Sequence, residues 1–210
     1  MIDVWLLDTN EFNTFAWYED HFSDSMISYI HDLAKLYTEE KAKVGMDGHG
    51  PGQWDPETAR PSTDDLVKEH IRKSNITWIE PEGNSEWLFR HLTDVIKMAN
   101  QTYFDFDLVH IEPLQYTVYN EGEYYTKHID TTWREPGRYP RKLSFSVQLS
   151  DPSEYDGGDL VLYTDSNPFY AKREKGSITF FPSFVMHEVT PVTRGTRKAL
   201  VGWVRGPKWK

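Results

Sequence analysis

The chain contains no cysteine among its 210 residues. That excludes disulfides, thiolate metal sites and a cysteine nucleophile, and it fits a reducing compartment. Long apolar runs are also missing. The stretch around Trp5-Leu6-Leu7 is among the longest and is far too short for a membrane-spanning helix. Met1-Ile2-Asp3-Val4 lacks the basic start and apolar core of a secretory leader, so a cytoplasmic protein is expected. Positive charge is in deficit, with 23 Lys and Arg against 33 Asp and Glu, a formal net of −10. Such a balance repels a polyanion at long range and argues against a nucleic-acid partner. No internal repeat or low-complexity tract is visible. What is abundant is aromatic: 8 Trp, 12 Tyr and 11 Phe, suited to a β-rich core and to broad binding surfaces. A core of this length buries about 70% of the surface the unfolded chain exposes, so one domain over 1–210 is the expected organisation.

Hydrophobic periodicity divides the chain. Ser23 is a good helix cap, followed by Met26, Ile27, Ile30, Leu33, Ala34 and Tyr37 at helical spacing. A Gly/Pro/Asp-rich stretch from about 43 to 65 then breaks all periodicity, and its 46–63 part is read as a lid loop or a disordered segment. Asn75–Ile79 reads as a strand. A second helix follows, capped near Ser85, with Trp87, Leu88, His91, Leu92, Val95, Ile96 and Ala99 on its apolar face. From 106 onward the texture becomes short strands between turns, near 111–120, 124–130, 142–150, 159–164, 169–173, 177–182, 185–192 and 196–205. Leu143 to Leu149 alternates strictly between apolar and small polar residues. The predicted fold is α+β but mostly β. Residues 1–105 supply supporting helices and the lid loop, and 106–210 form a double-stranded β-helix, or jelly roll.

Chemistry concentrates in that second half. His128-Ile129-Asp130 puts two hard ligands on one side of an extended chain. By itself the pair is weak, since eight histidines and abundant Asp produce it by chance about as often as not, and His110-Ile111-Glu112 is a decoy of the same form. His187, at the end of an apolar strand, can return alongside the pair. Two His and one carboxylate on one face of a metal leave positions open, which suits non-haem Fe(II) rather than structural zinc. A hydrogen-bonded histidine at a strand end is the plainer alternative for His187. Arg197 heads a face continuing through Ala199, Val201 and Trp203, and a cation there needs an anion. An internal Asp or Glu would serve, and so would a bound dicarboxylate held by a bidentate pair. Tyr119 faces the same side of its strand as Thr117 and could donate to that anion.

Taken together, the runs Tyr119–Gly122, His128–Asp130, Arg141–Ser144, Leu149–Leu160, Gly176–Ser183 and His187–Arg197 resemble the prolyl-hydroxylase-like branch of the Fe(II)/2-oxoglutarate dioxygenases. The bacterial PKHD-type hydroxylases are nearest in texture. The resemblance spans about 111–205. It implies His128, Asp130 and His187 as iron ligands, Arg197 as anchor of the distal carboxylate of 2-oxoglutarate, and Tyr119 and Gln148 as further co-substrate contacts. Fe(II), 2-oxoglutarate and O2 are the implied cofactors, with ascorbate as an accessory reductant. The implied reaction converts 2-oxoglutarate to succinate and CO2 while hydroxylating an unactivated C–H bond. Longer PKHD proteins continue past the arginine strand, and this compact length would suit a virus-encoded member working in the host cytoplasm. The segment from Thr131 to Arg141 should line the entrance, with Trp133, Arg138, Tyr139 and Arg141 gripping a substrate. A prolyl residue in a protein or peptide is the expected target. The alternatives are a free amino acid or small metabolite, a nucleic-acid demethylase disfavoured by charge, and a non-catalytic cupin-like binding protein.

Overall fold

A computed structural model describes residues 13–42, 69–131 and 139–209. The 46–63 loop, Trp133 and Arg138 lie outside these. The described chain enters through β1 (Ala16–Tyr18) and turns into α1 (Asp24–Ala34), where the Ser23 hydroxyl accepts from the Met26 amide at 3.3 Å. Helix α1 buries Ile27, Ile30, Leu33 and Ala34. Short strands β2 (Glu39–Lys41) and β3 (Arg72–Lys73) precede β4 (Asn75–Ile79), which falls where the sequence predicts it. Helix α2 (Glu86–Ala99) buries Leu88, Phe89, Leu92, Val95, Ile96 and Ala99. Ser85 precedes it but does not cap it. Its hydroxyl turns back to the Glu80 and Glu82 carbonyls. A single π turn, Asn100–Phe104, ends the helical region.

The strands that follow are β5 (His110–Ile111), β6 (Leu114–Tyr119), β7 (Tyr124–His128), β8 (Arg141–Gln148) and β9 (Tyr155–Gly157). Then come β10 (Leu160–Tyr163), β11 (Phe169–Tyr170), β12 (Ile178–Pro182), β13 (Met186–Val189), β14 (Val192–Gly195) and β15 (Arg197–Arg205). The predicted strand 111–120 is divided, because Pro113, which has no N–H to give a ladder, separates β5 from β6. The predicted strand 185–192 ends early at Val189, and past Pro191 the unpredicted β14 fills the gap before β15.

Among the described residues all pairing is antiparallel. The larger sheet runs β1-β12-β8-β15-β6-β4-β2, with β5 added beside β15. A smaller sheet runs β11-β10-β13-β7-β3, and β14 pairs with β9. The alternation in β8 explains the layering. Leu143, Phe145 and Val147 pack with α1 and α2 in one cluster on the outer face, each worth roughly 1.5–3 kcal/mol of burial. Ser144, Ser146 and Gln148 are equally buried but face inward. There a second cluster, including Tyr119, Tyr155, Leu160, Leu162, Phe181 and Val189, joins the two sheets. The result is a jelly roll with a polar strip along its inner wall and helices buttressing the outside.

Candidate metal and co-substrate site

The inner wall of the smaller sheet brings the two histidines together. His128 on β7 and His187 on β13 are direct cross-strand partners, so their rings leave the sheet on the same side, with centroids 4.1 Å apart. Asp130, two residues past His128, returns to that side. The Asp130 and Thr131 amides both donate to the Ser183 carbonyl, at 2.9 and 3.0 Å, which fixes the turn. Ser144 from β8 donates to Asp130 Oδ2 at 2.7 Å and is itself bonded to the Ser183 hydroxyl at 2.9 Å.

The donor atoms of His128, Asp130 and His187 lie within 4.8 Å of one another. Asp130 Oδ1 is 3.6 Å from His128 Nε2, and Oδ2 is 3.4 Å from His187 Nε2. Ligand bonds of about 2.0–2.2 Å at right angles would set such atoms about 3 Å apart, so only a modest closure is needed. Each imidazole is oriented from behind: His128 Nδ1 donates to the Thr126 carbonyl at 2.8 Å, and His187 Nδ1 to the Val185 carbonyl at 2.9 Å. A carbonyl can only accept, so both Nε2 lone pairs are left facing Asp130. Burial pushes the pKa of His128 down to about 3, keeping it neutral at ordinary pH. Burial would raise that of Asp130, but His187, His128, Arg141 and the Ser144 hydroxyl outweigh it and hold the carboxyl below its usual range. Two imidazoles and one carboxylate on one face fit a divalent metal of the Fe(II) kind.

Arg197 sits at the other end of the polar strip. It is 4% exposed and opposite Tyr119, whose ring centroid is 5.8 Å from the guanidinium carbon. Its Nε donates to Gln148 Oε1 at 3.2 Å, and Gln148 Nε2 donates to the Tyr155 hydroxyl at 2.8 Å. Among the described residues no carboxylate pairs with Arg197, so the internal counter-ion that the sequence left open is not found. A small pocket opens beside it, with Ser146, Gln148, Tyr155 and Thr179 among its walls. Gly158 makes that approach possible. At φ +61° it lies where a Cβ would come within 3.2 Å of Arg197 Cδ and 2.9 Å of Val192 Cγ2.

The remaining sequence-predicted residues lie elsewhere. Tyr139 is 47% exposed. Arg141 is forked onto Glu112 through Nε and Nη2, at 2.7 and 2.6 Å, and stacks over Trp203. Arg205 donates to the same Glu112 at 2.5 Å, so the decoy carboxylate is occupied by two guanidinium groups. Sequence reasoning missed Ser183 and Arg72, and gave Ser144 no role. Ser144 and Ser183 orient the metal-facing carboxylate. Arg72 donates to Ser74 and Gln115 and covers Tyr125, the ring stacked on His128. The strictly inward face of β8 was the signal for Ser144.

Among known proteins, residues 114–205 match the 2OG-Fe(II) oxygenase superfamily. A PKHD-type hydroxylase of Prochlorococcus marinus is 40% identical over 86 residues, 41% of this chain and 38% of its own length. The match therefore spans about two fifths of that relative. A Pseudomonas putida prolyl-4-hydroxylase aligns with TM-score 0.65 at 20% identity over 93% of this chain and 94% of its own. A Trichoplax adhaerens prolyl hydroxylase, solved with a hypoxia inducible factor oxygen degradation domain peptide fragment, aligns with TM-score 0.70 at 16% identity over 92% and 84%. At such identities the solved structures establish the shared jelly roll. No helix among the described residues is long and apolar enough to cross a membrane.

Proposed function

We propose, from the match of residues 114–205 to the 2OG-Fe(II) oxygenase superfamily, that the chain works as one catalytic domain hydroxylating a prolyl residue of a protein or peptide, with release of succinate and CO2. The observation that carries the reading is one polar strip with a His-Asp-His cluster at one end and a buried arginine without a carboxylate partner at the other. The chemistry supplied by bound Fe(II) is oxidative decarboxylation of 2-oxoglutarate coupled to insertion of one oxygen atom into a C–H bond.

The chain's own residues do the rest. His128, Asp130 and His187 would hold the metal, oriented by the Thr126 and Val185 carbonyls and by Ser144. Arg197 receives the distal carboxylate of 2-oxoglutarate, with Gln148 holding its Nε so that the remaining N–H groups face the pocket. Tyr119 lies beside the same anion. Leu162 and Phe181 keep the histidine side dry: Leu162 is the cross-strand partner of His187, and the Phe181 ring centroid is 4.6 Å from that of His187. No side chain is required as general acid or base.

Anaerobic addition of Fe(II) and 2-oxoglutarate should produce a weak visible charge-transfer band that His187→Ala abolishes. With air and a proline-containing peptide, succinate release should accompany the mass gain of one oxygen atom. A well-folded wild type that gives no band would sink the oxygenase reading and leave a metal-free or metal-storing jelly roll.

A further inference from the structure

A second buried arginine is in the same predicament as Arg197. Arg72 lies on the edge strand β3, opposite Tyr125 of β7, and is 6% exposed. Its side chain crosses from the smaller sheet to the larger one. Nη2 donates to Gln115 Oε1 on β6 at 2.6 Å, and Nε donates to the Ser74 hydroxyl at 3.2 Å. Its guanidinium carbon sits 4.7 Å from the centre of the Tyr125 ring, which stacks on His128 at 3.5 Å and 14°. One aromatic ring therefore separates Arg72 from a metal ligand.

Among the described residues, every acceptor Arg72 meets is neutral. That is unusual in this chain, which has 33 acidic residues for 23 basic ones. Arg141 and Arg205 share Glu112, Arg173 takes Asp159, and Arg194 takes Asp156. Arg72 and Arg197 are each matched to a glutamine amide and a tyrosine ring instead. A buried guanidinium held only by neutral acceptors is left partly uncompensated, which favours the arrival of an anion. Two of its five N–H donors are used by the described residues, leaving a fork for a carboxylate.

Resting on the oxygenase reading above, we infer that the substrate itself carries a carboxylate near the carbon to be hydroxylated, and that Arg72 binds it. The carboxylate is a handle and is unchanged by the reaction, in which substrate, 2-oxoglutarate and O2 give alcohol, succinate and CO2. It can come from a free amino acid, from the C-terminus of a peptide, or from an acidic side chain beside the target residue.

The test uses the full-length protein, loaded anaerobically with Fe(II) and saturating 2-oxoglutarate so that the Arg197 end is filled. Matched probes are titrated while the visible band reports binding without turnover. The pairs are L-proline and L-prolinamide, N-acetyl-Ala-Pro and its C-terminal amide, and capped peptides with Glu or Gln next to Pro. At least one carboxylate should bind about tenfold or more tightly than its neutral partner, the worth of a charge-assisted hydrogen bond over a neutral one. The preferring pair identifies the source. Arg72→Gln should abolish the preference and Arg72→Lys should retain part of it, with 2-oxoglutarate affinity held within about twofold in both, well inside a tenfold effect. If no pair prefers the carboxylate, or the preference survives Arg72→Gln, then Arg72 is a strut between the sheets and the inference is wrong. A missing band in wild type would instead count against the oxygenase reading, and calorimetric titration of the same pairs would still decide the anion subsite.

Discussion

Replacing Arg197 by Met should produce two effects of opposite sign. In the ligand-free protein the guanidinium is 4% exposed, and its one hydrogen bond among the described residues goes to Gln148. Removing it takes an uncompensated charge out of the interior, and Gln148 keeps its bond to Tyr155. Ligand-free stability should stay within about 1 kcal/mol of wild type or rise. Affinity for 2-oxoglutarate should move the other way. Two charge-assisted hydrogen bonds at about 1.5–3 kcal/mol each give a loss of about 3–6 kcal/mol, on the order of a hundredfold to ten-thousandfold in Kd. The assay is thermal melting with Fe(II) under nitrogen. At about 100 times the wild-type Kd, 2-oxoglutarate adds about 2.7 kcal/mol, or roughly 5–10 °C for a chain of this length. With a hundredfold weaker Kd the same concentration adds about 0.4 kcal/mol, about 1 °C. A variant that melts far below wild type without ligand yet keeps the full ligand shift would refute the assignment and make Arg197 a structural residue.

Three further outcomes are expected. Ser144→Ala removes the 2.7 Å hydrogen bond to Asp130 and should weaken metal binding about 10–100-fold in a metal titration, with little change in secondary structure. Gly158→Ala imposes a side chain at φ +61° against Val192 and Arg197, so it should cost about 1–3 kcal/mol in urea unfolding and weaken 2-oxoglutarate binding together. Burial pushes His21, His31 and His91 below the ordinary value of 6.5. The folded protein thus binds fewer protons than the unfolded chain below that pH. The stability concerned is present above pH 6.5 and is lost as the pH falls toward the depressed values. The metal-free protein should therefore melt lower near pH 5.5 than near pH 7.5, with a shallower dependence in a His21→Phe/His91→Phe variant. An unchanged slope in that variant would exclude the pair as a source.

The two helices and the long strands were legible because their patterns are long enough to carry a period. Helix α1 starts at its Ser23 cap, and β8 shows its two faces over eight residues. Strands of two or three residues such as β1, β3 and β9 have no period to read, since they form by completing edges set by distant segments. The His-Asp-His cluster could be anticipated from spacing and from the order of motifs. Arg72 could not, because its meaning depends on Gln115, 43 positions away, and on there being no acid paired with it among the described residues. Arg141 illustrates the converse: it follows the site in sequence, but Glu112 and the Trp203 face draw its guanidinium into an ion pair.

The glutamine held against Arg197 has a consequence for how this fold trades stability against activity. Exchanging its amide for a carboxylate, as in Gln148→Glu, would supply the counter-ion from within and keep much the same shape. The variant would gain a permanent ion pair and compete with its own co-substrate, so selection for robustness alone would push toward an inert protein. An amide at that position leaves the charge unspent until an anion enters, making the instability of the empty pocket a condition of its selectivity.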